Sequence, residues 1–121
     1  MPPYNFKKQF AAKVESGEKR QTFRVNGKRP HPKPGDTLYH YIGMRTKQCR
    51  RLRVAQCRSV EPTTLDILET PHGNVMEVFV NGARVDREAY AKADGFSSAE
   101  EMQRFFEHAH GFPACGVTIK W

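Results

Sequence analysis

The chain has 121 residues, of which 38% are hydrophobic and 27% are charged, and its formal net charge is +7. This length favours one domain over residues 1–121 with a single modest core. No apolar run reaches the roughly 20 residues of a membrane-spanning helix, so we expect no membrane partner. The N-terminal segment also lacks the apolar stretch of a secretion signal, which favours a cytoplasmic location.

The three cysteines, Cys49, Cys57 and Cys115, do not form a closely spaced pair. In a reducing compartment an odd number of cysteines predicts free thiols. A zinc site would need a fourth ligand and a C-x-x-C-like element, and the chain has no such element. We therefore expect neither a metal nor an organic cofactor.

Positive charge is concentrated in the first half of the chain. Residues 1–60 contain fifteen Lys or Arg and three Asp or Glu, a net charge of +12, whereas residues 61–121 contain five and ten, a net charge of −5. The acidic surplus of the second half is too small to neutralise the first half. The sequence therefore predicts an exposed basic patch that attracts a polyanion.

The first half of the chain predicts one helix and three strands. Asn5 is a candidate N-cap for a helix that begins at Phe6, carries apolar residues at spacings of four and ends near Gly17. A short strand is predicted over residues 21–25, and the prolines and glycines of residues 26–36 predict an exposed loop. A strand over residues 37–43, a second basic loop, and one long strand from about Cys49 to Val60 follow.

The second half predicts a hairpin, two helices and a last strand. After a weaker strand at residues 64–68, Asn81-Gly82 separates two β-like runs, which is typical of a two-residue hairpin. Asp86 and Ser97 or Ser98 are candidate helix N-caps. The second of these helices carries an apolar stripe that favours core packing, formed by Met102, Phe105, Phe106 and Ala109. The order of elements indicates an α+β protein whose curved antiparallel sheet or small barrel is flanked by helices.

The segment GEKRQTFR, residues 17–24, places a lysine, a hydroxyl and an arginine where a helix gives way to a strand. Residues two apart in a strand point the same way, so Thr22 and Arg24 are expected on one face, close to Lys19. Such a set suits an anionic or carbonyl-bearing ligand. The alternative is a helix C-cap glycine followed by a surface strand with solvated charges.

Together these motifs resemble the ASCH domain family. The matching features are G-x-K-x-x-T-x-R at residues 17–24, PGD at 34–36, ADGF at 93–96 before the last helix, and the terminal GVTIKW strand. The stretch GMRTKQCR is most similar to small stand-alone members from phages and prophages. The resemblance implies a PUA-like fold, a small β-barrel of mostly antiparallel strands flanked by helices, and an interaction with RNA.

The resemblance also implies a candidate catalytic set. Some small members of the family are amidohydrolases that deacylate N4-acetylcytidine with a lysine, a threonine and an acidic residue, which here correspond to Lys19, Thr22 and Asp94. That subgroup has Glu at the last position, and the shorter Asp sets its carboxylate back by about 1.5 Å. The alternatives are a structural ion pair between Lys19 and Asp94, and a Thr22 selected for strand propensity.

Three functions follow from these observations. The first is a protein that binds RNA or a nucleotide, with a monomer favoured. In this hypothesis Arg24 and exposed cations bind phosphate, and Tyr39, Tyr41 or Phe23 stacks on a base. The exposed cations are Lys28, Arg29, Lys33, Arg45, Lys47, Arg50 and Arg51. The second is an amidohydrolase that acts on N4-acylcytidine. The third is a ribonuclease, for which His31, His40, His108 and His110 are possible acid-base groups.

Overall fold

The computed structural model describes residues 3–121, which fold into eight strands and three helices with one short 3-10 turn. The strands are β1 Pro3–Phe6, β2 Gln21–Val25, β3 Thr37–Ile42, β4 Arg50–Gln56, β5 Ser59–Thr70, β6 Gly73–Val80, β7 Ala83–Val85 and β8 Ala114–Lys120. The helices are α1 Ala11–Ser16, α2 Arg87–Ala93 and α3 Ala99–Ala109, and the 3-10 turn is Lys8–Phe10. The predicted α+β class is confirmed.

The strands form two sheets. One has the order β1-β3-β4 and the other the order β2-β8-β5-β6-β7. All neighbouring strands are antiparallel except β1 and β3, which run parallel. Among residues 3–121 the ladders do not close into a barrel, and none of the helices there is long and apolar enough to cross a membrane.

The prediction of a helix starting at Phe6 is wrong. Residues 3–6 form β1, and Asn5 Oδ1 accepts a hydrogen bond from Met44 N at 3.0 Å instead of capping a helix. The apolar spacing was misleading because Phe6 is buried in both arrangements, and a parallel partner more than thirty residues away leaves no local signal. The helix does end as predicted, at Gly17 with φ 83°.

The prediction of one long strand from Cys49 to Val60 is also wrong, because the chain changes sheets within it. Cys57 N donates to Asp36 O at 2.8 Å, whereas Arg58 N donates to Lys120 O at 2.7 Å. These two hydrogen bonds belong to different sheets, so β4 ends and β5 begins around Cys57. A bulge at His40/Tyr41 further shifts the register between β3 and β4, which the alternation of residue types does not reveal.

The turn and cap predictions of the second half are confirmed. Asn81 and Gly82, with φ 53° and 82°, connect β6 to β7. Asp86 accepts a hydrogen bond from Glu88 N at 3.3 Å, and Ser98 accepts one from Glu101 N at 3.1 Å, so both helices have the expected caps. The weak strand at 64–68 is the middle of the longer β5.

One hydrophobic core joins the sheets to the helices. Its fully buried side chains include Val14, Leu38, Leu65, Met76, Val78, Met102 and Ile119. Helix α3 packs against α2 and β6, and α1 packs against β4. This packing brings the loop after α2 next to the segment between α1 and β2, which positions the site described below.

Candidate functional site

Lys19 lies at the centre of the site, with only 2% of its surface exposed. Its Nζ donates a hydrogen bond to Gln21 O at 2.8 Å and another to Asp94 O, and it lies 3.7 Å from Asp94 Oδ1. Burial lowers the pKa of Lys19 to about 8, although the charge of Asp94 acts in the opposite direction. The ammonium group is therefore held in place by acceptors while its charged form is disfavoured.

Asp94 follows the last residue of α2 and is also 2% exposed. Burial raises the pKa of this carboxyl to about 6, against the opposing charges of Lys19 and Arg24. Its Oδ1 has no hydrogen-bond partner among residues 3–121. The predicted approach of Lys19 and Asp94, distant in sequence, is therefore present in the structure.

Gly95 makes room for the Lys19 side chain. It has φ 96°, and a Cβ at this position would lie 3.0 Å from Lys19 Cδ and 3.1 Å from Phe10 Cδ1. A side chain here would adopt a strained backbone conformation and press on the lysine at the same time. The glycine of the ADGF motif thus explains how the loop can close over Lys19.

Thr22 and Arg24 come from β2, one of the two edge strands of the larger sheet among residues 3–121. Thr22 is buried opposite Ile119 of β8. The Arg24 guanidinium lies 5.2 Å from the Tyr4 ring and 5.1 Å from the Phe6 ring, and its Nη2 donates to Asn5 O at 3.2 Å. Burial lowers the pKa of Arg24, and its Nε has no hydrogen-bond partner among the residues described.

All four residues line one pocket of about 430 Å³, within the size range of small-molecule sites. Much of the remaining wall is aromatic: Phe6, Phe10, Phe23, Phe96, Phe105 and Phe106. The core prediction for the α3 stripe is confirmed for Met102 and Phe106, which are buried, and Phe105 packs against the same core. Phe105, Phe106 and Ala109 also line the pocket, which the sequence did not predict. Adjacent residues on a helix point in different directions, so the pair Phe105-Phe106 makes the apolar face wider than a single core-facing stripe. This was the signal in the sequence that part of the face meets something other than the core.

Apart from Arg24, the cations predicted to contact phosphate lie outside the pocket. All seven are exposed, in the loop between β2 and β3, in the loop between β3 and β4, or on β4. The Arg29 guanidinium lies 5.2 Å from the ring of Tyr4, which the pocket residue Arg24 also contacts. Arg50 Nη1 forms an ion pair with Glu15 Oε2 at 2.9 Å, which leaves less of its charge for a phosphate.

Of the aromatic and histidine residues that the sequence predicted for the site, some line the pocket and others lie elsewhere. Phe23 lines the pocket, whereas Tyr39 and Tyr41 are half-buried elsewhere on β3. His110 also lines it, stacked on Phe106 with 6.1 Å between ring centroids. His40 is fully buried 4.3 Å from Trp121, and burial lowers its pKa to about 4.

His31 and His108 lie outside the pocket wall as well, and His31 bonds Asn26 at 2.9 Å. None of these contacts favours the ribonuclease alternative, which stays a prediction. Within residues 3–121 there is no group of three or more His, Cys, Asp or Glu side chains placed to hold a metal ion.

Comparisons of the chain with protein-family models, with curated proteins and with solved structures each found no match. The chemistry of the pocket therefore carries the functional interpretation. It offers the Thr22 hydroxyl, the Asp94 carboxyl and the cations Lys7, Lys19 and Arg24 beside flat apolar walls. Such a site can bind a planar, polar molecule by stacking and hydrogen bonding together.

Proposed function

We propose that this chain is a nucleic-acid-binding protein of the ASCH type, with RNA as its partner, and that the pocket receives one unpaired base or modified nucleoside. The observation that carries the proposal is the convergence of Lys19, Thr22, Arg24 and Asp94 on one aromatic-walled pocket of about 430 Å³. In this proposal the two sheets correspond to a PUA-like small β-barrel. Their direct connection from β4 to β5 supports that correspondence.

Two buried polar atoms support a ligand with both a donor and an acceptor. Asp94 Oδ1 and Arg24 Nε lack partners among residues 3–121, and both residues line the pocket. A buried polar atom without a partner costs about 1–3 kcal/mol, so each gains from a partner supplied through the pocket. A base edge fits this need, since an N–H can donate to Asp94 and a carbonyl oxygen can accept from Arg24.

The aromatic wall supplies the second part of base recognition. Phe105 is half-buried on α3 and packs edge-on against Phe10, Phe96 and Phe106. Stacking of a base on an aromatic side chain contributes about 1–3 kcal/mol. The contacts of Arg24 and Arg29 with the Tyr4 ring extend positive charge from the pocket towards the basic loops, where phosphates would bind.

The proposal is tested by titrating single-stranded RNA and free nucleosides into variants of two matched phenylalanines. Phe105→Leu removes a wall ring, and we expect affinity to fall about tenfold or more, as lost stacking predicts. Phe79→Leu changes another half-buried ring, on β6, that does not line the pocket, so binding should be unchanged. Equal affinities for both variants and the wild type would contradict base stacking in this pocket.

A second candidate, an amidohydrolase acting on N4-acylcytidine, is favoured by the lowered pKa of Lys19 and its place beside Thr22. In this reaction neutral Lys19 accepts the Thr22 hydroxyl proton, and Oγ1 attacks the acyl carbon. The C–N bond then breaks, and the proton passes from Lys19 to the departing amine. Water hydrolyses the acyl-threonine and releases the acid, while Arg24 stabilises the oxyanion.

Mass spectrometry of N4-acetylcytidine incubated with the protein tests this candidate. Thr22→Ser keeps the nucleophile and should retain turnover, whereas Thr22→Val keeps the shape and removes the hydroxyl. We expect the Val variant to lose at least about a hundredfold in rate, the usual scale for a lost nucleophilic or acid-base group. Turnover that persists in Thr22→Val would exclude Thr22 as the nucleophile.

A further inference from the structure

A second charged surface lies outside the pocket. Two adjoining depressions of about 540 and 340 Å³ share Arg20, Arg58 and Trp121, and Arg53 lines the smaller one. We call this surface the arginine groove. None of its residues lines the pocket, although Arg20 is the immediate neighbour of Lys19 in sequence. Segment 17–24 therefore supplies side chains to two different surfaces.

The backbone of the larger sheet fixes the spacing of two of the arginines. Lys120 of β8 pairs with Gln21 of β2 on one side and with Ser59 of β5 on the other. One residue beyond this row, Trp121 N donates to Arg20 O at 3.0 Å, and Arg58 N donates to Lys120 O at 2.7 Å. With neighbouring strands about 4.8 Å apart, the backbones of Arg20 and Arg58 lie about 10 Å apart, on either side of Trp121.

Two backbone carbonyl groups at the end of α1 orient the side chains of Arg20 and Arg53. Arg20 Nε donates to Gly17 O at 3.0 Å, and Arg53 Nη1 donates to Glu15 O at 3.3 Å. A Cβ at Gly17 would lie 3.0 Å from Arg53 Nη1, so the glycine lets this guanidinium lie across the helix end. Each guanidinium has five N–H donors, and one such bond leaves most of them available.

Among the residues described, the three groove arginines have no carboxylate partner. Within residues 3–121, none of Arg20, Arg53 and Arg58 forms an ion pair, whereas Arg50, Arg84 and Arg104 each do. The acidic residue on the described groove wall is Glu18, and Lys120 is paired with Glu61 at 2.9 Å. The groove therefore has a surplus of unpaired, exposed guanidinium groups.

We propose that the arginine groove binds the phosphodiester backbone of single-stranded nucleic acid, so that the protein acts on a strand and not on a free nucleoside. The proposal rests on the proposed function, in which the pocket takes one unpaired base. Planar guanidinium groups bind phosphate oxygens in pairs, which suits a row of arginines at fixed spacing. Trp121 is largely buried against His40 and Phe6, so it forms the floor and does not stack on bases.

The test compares two double variants that remove the same charge. Arg20→Gln/Arg58→Gln changes the groove, and Arg84→Gln/Arg87→Gln changes exposed residues that line neither the groove nor the pocket. Affinity for a labelled single-stranded RNA is measured by fluorescence anisotropy between 50 and 200 mM salt. Each lost phosphate contact reduces the slope of log affinity against log salt by about 0.7. The groove variant loses two arginines, so its slope should be smaller than that of the wild type by about 1.4.

Nucleoside titrations separate this proposal from the proposed function. The groove proposal is supported if the groove variant alone has a reduced salt slope for RNA and keeps its affinity for nucleosides. It is overturned if the salt slope of the groove variant equals that of the wild type, or if the control variant shows the same reduction in slope. If RNA binding depends on the groove but no nucleoside binds, the pocket proposal fails while the contact with the phosphate backbone stands. A single-stranded DNA of the same sequence should show the same change in salt slope, because it has the same phosphates.

Discussion

The pocket and the arginine groove both take side chains from residues 17–24, yet they use charge in opposite ways. In the pocket, Lys19 and Asp94 are each 2% exposed, and burial shifts the pKa of both groups towards their neutral forms. In the groove, Arg20 and Arg58 are exposed and unpaired among the residues described. Buried charges can define a specific ligand but reduce stability, whereas exposed charges attract polyanions at little cost and are screened by salt.

This contrast predicts that the largest effect on stability comes from Asp94→Asn. The substitution leaves the buried Lys19 ammonium without its carboxylate, and breaking a buried pair in this way costs about 3–5 kcal/mol. Urea denaturation at pH 7 measures the change. The cost should shrink at pH 9, because Lys19, with a pKa of about 8, is then mostly neutral.

The exposed pair of Arg104 and Glu100, 2.7 Å apart on α3, is the control for that prediction. Arg104→Gln should change the free energy of unfolding by less than about 0.5 kcal/mol, as is usual for surface pairs on a helix. Equal losses for Asp94→Asn and Arg104→Gln at pH 7 would remove the energetic distinction between the buried site and the surface.

The next largest effect is expected for Gly95→Ala, and Gly35→Ala is its matched control. The two glycines have nearly the same φ, 96° and 95°. A Cβ at Gly35 would meet no atom of residues 3–121 within 4 Å, whereas a Cβ at Gly95 would press on Lys19 and Phe10. Both variants incur the cost of a left-handed residue, about 1–2 kcal/mol. Gly95→Ala should lose more stability and should also lose nucleoside binding; equal losses and intact binding would show that the lysine does not depend on this gap.

Stability should also change with pH alone, with opposite signs for the two buried groups. Asp94 has a raised pKa of about 6, so its contribution to stability is present below its unfolded value near 3.8 and is lost as the pH rises through 6. Lys19 has a lowered pKa of about 8, so stability recovers between pH 8 and 10.5. Urea unfolding across this range should show both trends, and Asp94→Asn should abolish the acidic one.

The same titrations separate binding from catalysis. Turnover that needs neutral Lys19 should rise with pH through about 8, and Asp94→Asn should move that midpoint to lower pH, because the carboxylate raises the pKa of Lys19. Binding that needs the ammonium charge should instead fall above pH 8. A flat profile for both activities would exclude a direct role for Lys19.

Local chemistry determined which parts of the fold were predictable. The caps at Asp86 and Ser98 and the turn at Asn81-Gly82 depend on neighbouring residues, and the sequence predicted them. Strand β1 depends on a parallel partner across the chain, and the end of β4 depends on a change of sheet at Cys57. These pairings are non-local, so residue spacing misassigned both.

The site was predictable to the extent that a motif described it. Lys19, Thr22 and Asp94 line one pocket, and their role as a catalytic set stays a prediction. The aromatic wall was not anticipated, because an apolar helix face has the same pattern whether it meets a core or a cavity. The arginine groove has no motif at all, since Arg20, Arg53 and Arg58 meet only through the register of three strands and the end of α1.

The smallest effect on stability should come from the basic loop between β2 and β3. Lys28 and Lys33 are exposed, and removing two such charges with Lys28→Gln/Lys33→Gln should change the unfolding free energy by less than about 0.5 kcal/mol. If the loop contacts RNA phosphates, the same variant should reduce the salt slope by about 1.4, because each contact contributes about 0.7. The two double variants remove equal charge and differ only in position. If the salt slope of RNA affinity is unchanged for Lys28→Gln/Lys33→Gln but reduced for Arg20→Gln/Arg58→Gln, the RNA lies in the groove and away from the loop.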